Sequence, residues 1–346
     1  MTQVVSVTGP VPSAELGICL SHEHILNDVT SWWHRTESVG LDPDEFARKP
    51  VGIEDIWDLR HDPFGNLDNC RLDDLDVAVE EVARFAALGG RTIVEATGMS
   101  IGRDLAGLRT VSERTGVRIV AGTGFYLEAS QPAEVRSSGV DRLAELILAD
   151  IRDGEHGVRP GIIGEIGVSD RFTEAEQRSL RAACLAQRET GLPMQVHLPA
   201  WFRLGDAVLD LVEGMGVALG SVVLCHMNPS GPDPEYQRRL MNRGAWAQYD
   251  MVGAELFYAD QGVQCTSDEE DAANIAALVR GGFGDRLLVS SDIFLKSLLR
   301  RYGGPGYGHV LQYFVPRLER HGLSAAEVEQ LLVRNPRSLF EQSEAR

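Results

Sequence analysis

The chain has 346 residues, 43% of them hydrophobic and 24% charged, an ordinary globular balance. Its formal charge of −18 leaves no basic surface for nucleic acid or for an anionic membrane. The five cysteines are unevenly spaced and form no Cys-x-x-Cys pair, which excludes a disulfide framework and a zinc finger.

Apolar, strand-like runs recur near 17–24, 92–96, 117–122, 161–166, 193–197, 222–226, 245–249 and 286–291. Amphipathic stretches lie between most of them, such as 75–85 and 140–151. Thr173-Glu174-Ala175-Glu176 and Ser324-Ala325-Ala326-Glu327 read as capping boxes that open helices. The last helix is expected over about 325–334, stopped by Asn335-Pro336. Eight strands alternating with helices predict an α/β fold, a (β/α)8 TIM barrel, as one domain over 1–346. One connection is long: about 25–74, after the first strand, has no strong period and carries Trp32, Trp33 and Trp57. It is read as a lid or an oligomer contact. Two further irregular stretches, about 250–272 and the one after Asp292, are expected on the same face.

Six residues close apolar runs and suit metal binding: His22, His24, Glu165, His197, His226 and Asp292. Side chains two apart in a strand share a face, so His22 and His24 point together. Only a closed barrel brings the ends of the first and eighth strands to one rim. Four imidazoles and two carboxylates gathered there are a ligand set for two divalent cations, with zinc expected and manganese, cobalt or iron also compatible. A carboxylate in the Gly-Ile-Ile-Gly-Glu run needs a partner if buried, and a bridge between two cations provides one. The only lysines, Lys49 and Lys296, end no fourth strand, so Glu165 is the candidate bridge. Glu95 and Asp250 are positioned to orient ligand histidines. Glu23 should point away from the two histidines beside it, and Cys225 is read as packing.

Two motifs compete. Gly98-Met99-Ser100-Ile101-Gly102 fits a nucleophile elbow, with Asp292 and His309 available as partners. It leaves four strand-end histidines without a role. Gly122-Thr123-Gly124 begins a dinucleotide fingerprint, but Leu127 stands where the third glycine belongs.

The His-Glu-His pattern, Gly-Ile-Ile-Gly-Glu-Ile-Gly, Val-His-Leu, Leu-Cys-His and Ser-Ser-Asp together resemble the phosphotriesterase family of the amidohydrolase superfamily. The resemblance is nearest to the phosphotriesterase-related branch with glutamate in the fourth strand, some members of which are named resiniferatoxin-binding. It implies a distorted barrel holding two metals, with His22, His24 and Asp292 on the more buried one. His197 and His226 would hold the more exposed one, and Glu165 would bridge. It also implies that Tyr126 helps place the substrate, as a tyrosine does in family lactonases. Those lactonases have an arginine in the seventh loop, where this chain has Met251-Val252-Gly253.

The expected activity is hydrolysis of an ester-like bond, a lactone or carboxylic ester first, by hydroxide bridging the metals, with Asp292 carrying the proton away. The alternatives are an amide hydrolase acting on N-acyl amino-acid-like substrates, a weak phosphotriesterase, and a metal-stabilised binding protein for an apolar ligand. The expected partner is a small-molecule substrate, the expected assembly a homodimer and the expected location cytoplasmic.

Overall fold

The computed structural model describes residues 2–343. Eight parallel strands form one sheet in chain order: β1 (Cys19–Glu23), β2 (Thr92–Glu95), β3 (Arg118–Thr123), β4 (Ile162–Ile166), β5 (Met194–Val196), β6 (Val222–Leu224), β7 (Trp246–Tyr249) and β8 (Leu287–Val289). Apart from Arg118 at the start of β3 all their residues are buried, as parallel strands covered by crossover helices must be. The covering helices include α1 (Leu75–Ala87), α2 (Leu105–Thr115), α3 (Val140–Asp153), α4 (Glu174–Thr190), α5 (Gly205–Gly214), α6 (Pro234–Asn242) and α7 (Asp268–Leu278). The sheet curls into a nearly closed (β/α)8 barrel. No helix among the described residues is long and apolar enough to cross a membrane.

Closure between β1 and β8 depends on Glu23. Its buried carboxylate accepts hydrogen bonds from Ser290 Oγ (2.7 Å) and from the amides of Ser291 (2.8 Å) and Ile293 (2.9 Å). The backbone adds bonds from Asp292 N to His22 O and from His24 N to Ile293 O. Glu23 therefore does point away from its neighbouring histidines, and its partners lie far along the chain. Below the rim, Gln195 and Gln248 donate across the interior to Ser21 O and Ser21 Oγ, so the middle of the barrel carries a hydrogen-bonded polar layer.

Register shifts fall on the strands expected to carry metal ligands: between Leu20 and Glu23 in β1, at Ile163–Gly164 opposite Thr123, and between Ile163 and Ile166 in β4. Such irregularities bend a strand and re-aim its side chains. Gly164 makes the bend in β4 feasible. Its φ is +127°, and a Cβ there would lie 2.6 Å from the Gln195 carbonyl oxygen.

Segment 25–74 is ordered. Asn27–Asp28 pairs with Arg71–Leu72 at its base, and short helices span Pro43–Arg48 and Ile56–His61. Both capping boxes form, at Thr173 and Ser324. Asn335-Pro336 does not stop the last helix, however: after a wide turn over Gln330–Arg334 the chain stays helical through Asn335–Ser343. Pro336 is the second residue of that last stretch, where its missing N–H costs least. Asn335 Nδ2 anchors the turn to Gly284 O and Leu287 O.

Candidate metal centre

The fold brings all six expected ligands together at the C-terminal ends of β1, β4, β5, β6 and β8. His197, His226 and Asp292 lie just past their strands. His226 and Asp292 have φ of 58° and 48°, the left-handed region that residues other than glycine rarely occupy. The chain leaves the barrel there in a sharp turn, and strain of this kind persists only where surrounding contacts enforce it.

The donor atoms form two groups that share Glu165. In the first, Asp292 Oδ1 lies 3.5 Å from His22 Nε2 and 3.3 Å from His24 Nε2. Glu165 Oε2 lies 3.7 and 3.9 Å from the same nitrogens. A tetrahedral site with ligand bonds of about 2.1 Å has edges of about 3.4 Å, close to these separations. Both ring nitrogens of His22 and Asp292 Oδ1 are buried with no hydrogen-bond partner. Orphaned polar atoms cost roughly 1–3 kcal/mol each, and a cation among them removes that cost. In the second group, Glu165 Oε1 lies 2.7 Å from His197 Nδ1 and 2.9 Å from His226 Nε2, and those two nitrogens are 2.8 Å apart. The first group's separations thus fit one divalent cation; in the second the donors stand at hydrogen-bond distances, shorter than ligand edges, and would have to spread to admit another beside Glu165.

The surrounding residues fix which nitrogen each ring presents. Thr97 Oγ1 donates to Glu95, so toward His24 Nδ1 (2.9 Å) it can only accept. That leaves His24 Nε2 facing Asp292. Asp250 accepts from the His226 backbone N–H (3.0 Å) and from His226 Nδ1 (3.0 Å), and its other oxygen lies 3.5 Å from His22 Nδ1. One buried carboxylate therefore holds the His226 ring by hydrogen bonds and places its negative charge beside the His22 ring. Asp250→Asn should weaken metal affinity or activity about 10–100-fold, measured by titrating metal into chelator-treated protein; an unchanged affinity and rate would remove the orienting role. Tyr307, to which no sequence pattern points, donates its hydroxyl to His24 O at 2.7 Å.

The charged groups at the centre set one another's protonation. Burial opposes ionisation of Glu165, yet His197 and His22 outweigh it and hold the carboxyl well below its ordinary range. Burial also opposes charging of His24, but the Asp292 carboxylate beside it pushes the imidazole up to about 9. His226 is raised likewise, chiefly by Asp250. Protons and metal cations compete for such lone pairs.

Tyr126 OH lies 3.2 Å from His197 Nδ1. Burial, with Glu165 and Asp292 nearby, raises the phenol well above its ordinary value, so it stays a hydrogen-bond donor. Cys225 packs with Val223, Trp246, Leu288 and Leu339, and burial keeps its thiol protonated. The alternative serine site is not assembled. Ser100 Oγ accepts from Tyr126 N, and His309 pairs with Asp268 at 2.7 Å, not with Asp292. The two lysines pair with Asp55 and Asp68, outside the ligand cluster.

A cavity of about 500 Å³ opens above the cluster, with His24, Glu165, His197, His226 and Asp292 in its floor. Trp32 and Phe64 from segment 25–74 stack at 5.3 Å and form part of its wall. Trp57, by contrast, is 69% exposed on the outer surface.

A model of the phosphotriesterase family matches residues 2–340. The chain is 31% identical over 343 residues to the N-acetyltaurine hydrolase of Xenopus tropicalis, with 97% of each covered. Among solved structures, it is similar to a resiniferatoxin-binding protein from Rhodobacter sphaeroides, with a TM-score of 0.94 and 50% identity over 98% of this chain and 95% of that one. It is also similar to a phosphotriesterase homology protein from Escherichia coli, solved with phosphate in its active site. There the TM-score is 0.78 and the identity 28%, over 94% of this chain and 99% of that one.

Proposed function

Because the chain belongs to the phosphotriesterase family of metal-dependent hydrolases, we propose that it hydrolyses the carboxyl–heteroatom bond of a small acyl compound, an ester, a lactone or an N-acyl amide. The observation that carries this reading is the division of Glu165, whose Oε1 faces His197 and His226 while Oε2 faces His22 and His24, at the floor of an open cavity. Divalent cations bound by His22, His24, Glu165, His197, His226 and Asp292 would supply Lewis-acid polarisation of the acyl oxygen and a water acidified toward a pKa of about 7.

The chain's own groups supply the rest. Asp292 lines the cavity and is ionised at neutral pH: burial opposes this, but His24, His22 and His226 hold its pKa down. Its Oδ2 is free to accept the proton of the attacking water. Tyr126 keeps its proton and can donate a hydrogen bond to the departing oxygen or nitrogen. Trp32 and Tyr258 restrict bulk water at the acyl group. The amide chemistry named for the Xenopus relative supports including N-acyl compounds beside esters.

A second reading, a metal-stabilised binding protein for an apolar ligand, is favoured by the name of the 50% identical Rhodobacter protein together with the aromatic cavity. Elemental analysis of purified protein, followed by a screen of esters, lactones and N-acyl amides, separates the two. About two metal ions per chain are expected. Activity should be lost on dialysis against chelator and restored by zinc, manganese or cobalt. Tight ligand binding by metal-replete protein with no turnover across the screen would favour the binding reading.

A further inference from the structure

We infer that the cavity selects acyl compounds whose remaining portion is uncharged and apolar, and discriminates against anionic ones such as the sulfonate of N-acetyltaurine. This rests on the hydrolase reading and narrows its substrate class. The walls above the candidate metal ligands are aromatic and aliphatic: Trp32, Phe64, Trp201, Met251, Tyr258 and Phe294. Among the described residues, no lysine or arginine lines the cavity, and the carboxylates on its walls apart from Glu165 and Asp292 are Asp170 and Asp260, both exposed at the rim.

Two arginines outside the cavity lining, Arg203 and Arg60, have partners away from it. Arg203 lies 3.7 Å from Asp233 and donates to the Trp201 and Pro229 carbonyls. Arg60 faces Glu255 at 3.7 Å. A sulfonate or carboxylate entering this space gives up its hydration and meets aromatic faces, whose quadrupole is negative, and two rim carboxylates. The chain's overall charge of −18 adds long-range repulsion of the same sign. Metal bound at the floor would attract the acyl oxygen and leave the far end of the substrate without a counter-charge. Met251 occupies the wall where a cationic side chain could have provided one.

The test uses matched pairs that differ by one sulfonate: phenethyl acetate against 4-sulfophenethyl acetate, and N-acetylphenethylamine against its 4-sulfonate. With metal-replete protein, the neutral member of a hydrolysed pair should show a kcat/KM higher by about 100-fold or more, the factor expected when a buried charge lacks a partner. The difference should lie mainly in KM. Asp170→Lys combined with Asp260→Lys should improve the sulfonated member at least about threefold more than the neutral one, as rim charges do. Equal or better hydrolysis of the sulfonates overturns the inference and leaves the hydrolase reading standing. If neither pair is hydrolysed, calorimetric binding of the same four compounds decides the charge preference separately. Tighter binding of the neutral members supports it, and equal or tighter binding of the sulfonates overturns it.

Discussion

Asp292→Asn is expected to lower kcat about 10²–10⁴-fold, the range associated with losing a positioned general base, while the protein keeps most of its metal. Asp292 has two roles that the substitution separates. Its Oδ1 lies 3.3–3.5 Å from the Nε2 atoms of His24 and His22 as part of the first donor group. An amide oxygen can occupy that place. Its Oδ2 lies 3.7 Å from His226 Nδ1, and Asp292 borders the cavity. There an amide has no basic oxygen with which to take a proton. The variant should therefore be read with two measurements on one preparation, metal per chain and steady-state kinetics on the best substrate of the screen. A kcat within tenfold of the parent at unchanged metal content would remove Asp292 as the proton acceptor. Loss of metal together with activity would assign it a ligand role alone.

The barrel was legible because its signals are local. An apolar run of four to six residues announces a buried parallel strand whatever lies across from it, and all eight expected runs overlap strands of the barrel. The pairing of His22 with His24 follows from strand alternation alone. What alternation cannot supply is backbone direction where strands end. The expected runs at 193–197, 222–226 and 286–291 extend past the strands that form, because His197, His226 and Asp292 have already left the ladder. Their turns are enforced by partners remote in sequence, such as Asp250 on the His226 amide and Glu23 on the amides around Asp292. Glu23 was excluded as a metal ligand by its parity in the strand, but its function as the clasp between β1 and β8 depends on residues about 270 positions away. The tryptophans of 25–74 pointed to an ordered segment, but its packing is tertiary and not legible locally: Trp32 on Phe64 and Phe64 against Tyr258 at 5.0 Å. Pro336 misled because proline stops a helix in its interior but is tolerated near a helix start, and the wide turn at 330–334 makes its position such a start.

Glu165→Gln is the substitution from which the largest loss of metal is expected. Glu165 is 1% exposed and central: its two oxygens face four imidazole nitrogens at 2.7, 2.9, 3.7 and 3.9 Å. Glutamine has nearly the same volume, so the fold has no cavity to absorb. It removes the negative charge and replaces one acceptor oxygen with an NH2 donor. Either orientation of the amide turns that donor toward one of the two groups, where a cation would have to sit against an N–H. Metal content should fall from about two ions per chain to one or fewer, and activity should fall at least about 100-fold, since metal polarisation contributes several kcal/mol to the transition state. Circular dichroism should remain that of the parent, which separates loss of the site from loss of the fold. Excess metal should not restore the rate if Glu165 bridges, because the missing charge lies between the two positions and raises neither affinity alone. Full recovery of activity with added zinc or manganese would show instead that Glu165 only strengthens a site the four histidines and Asp292 can build without it.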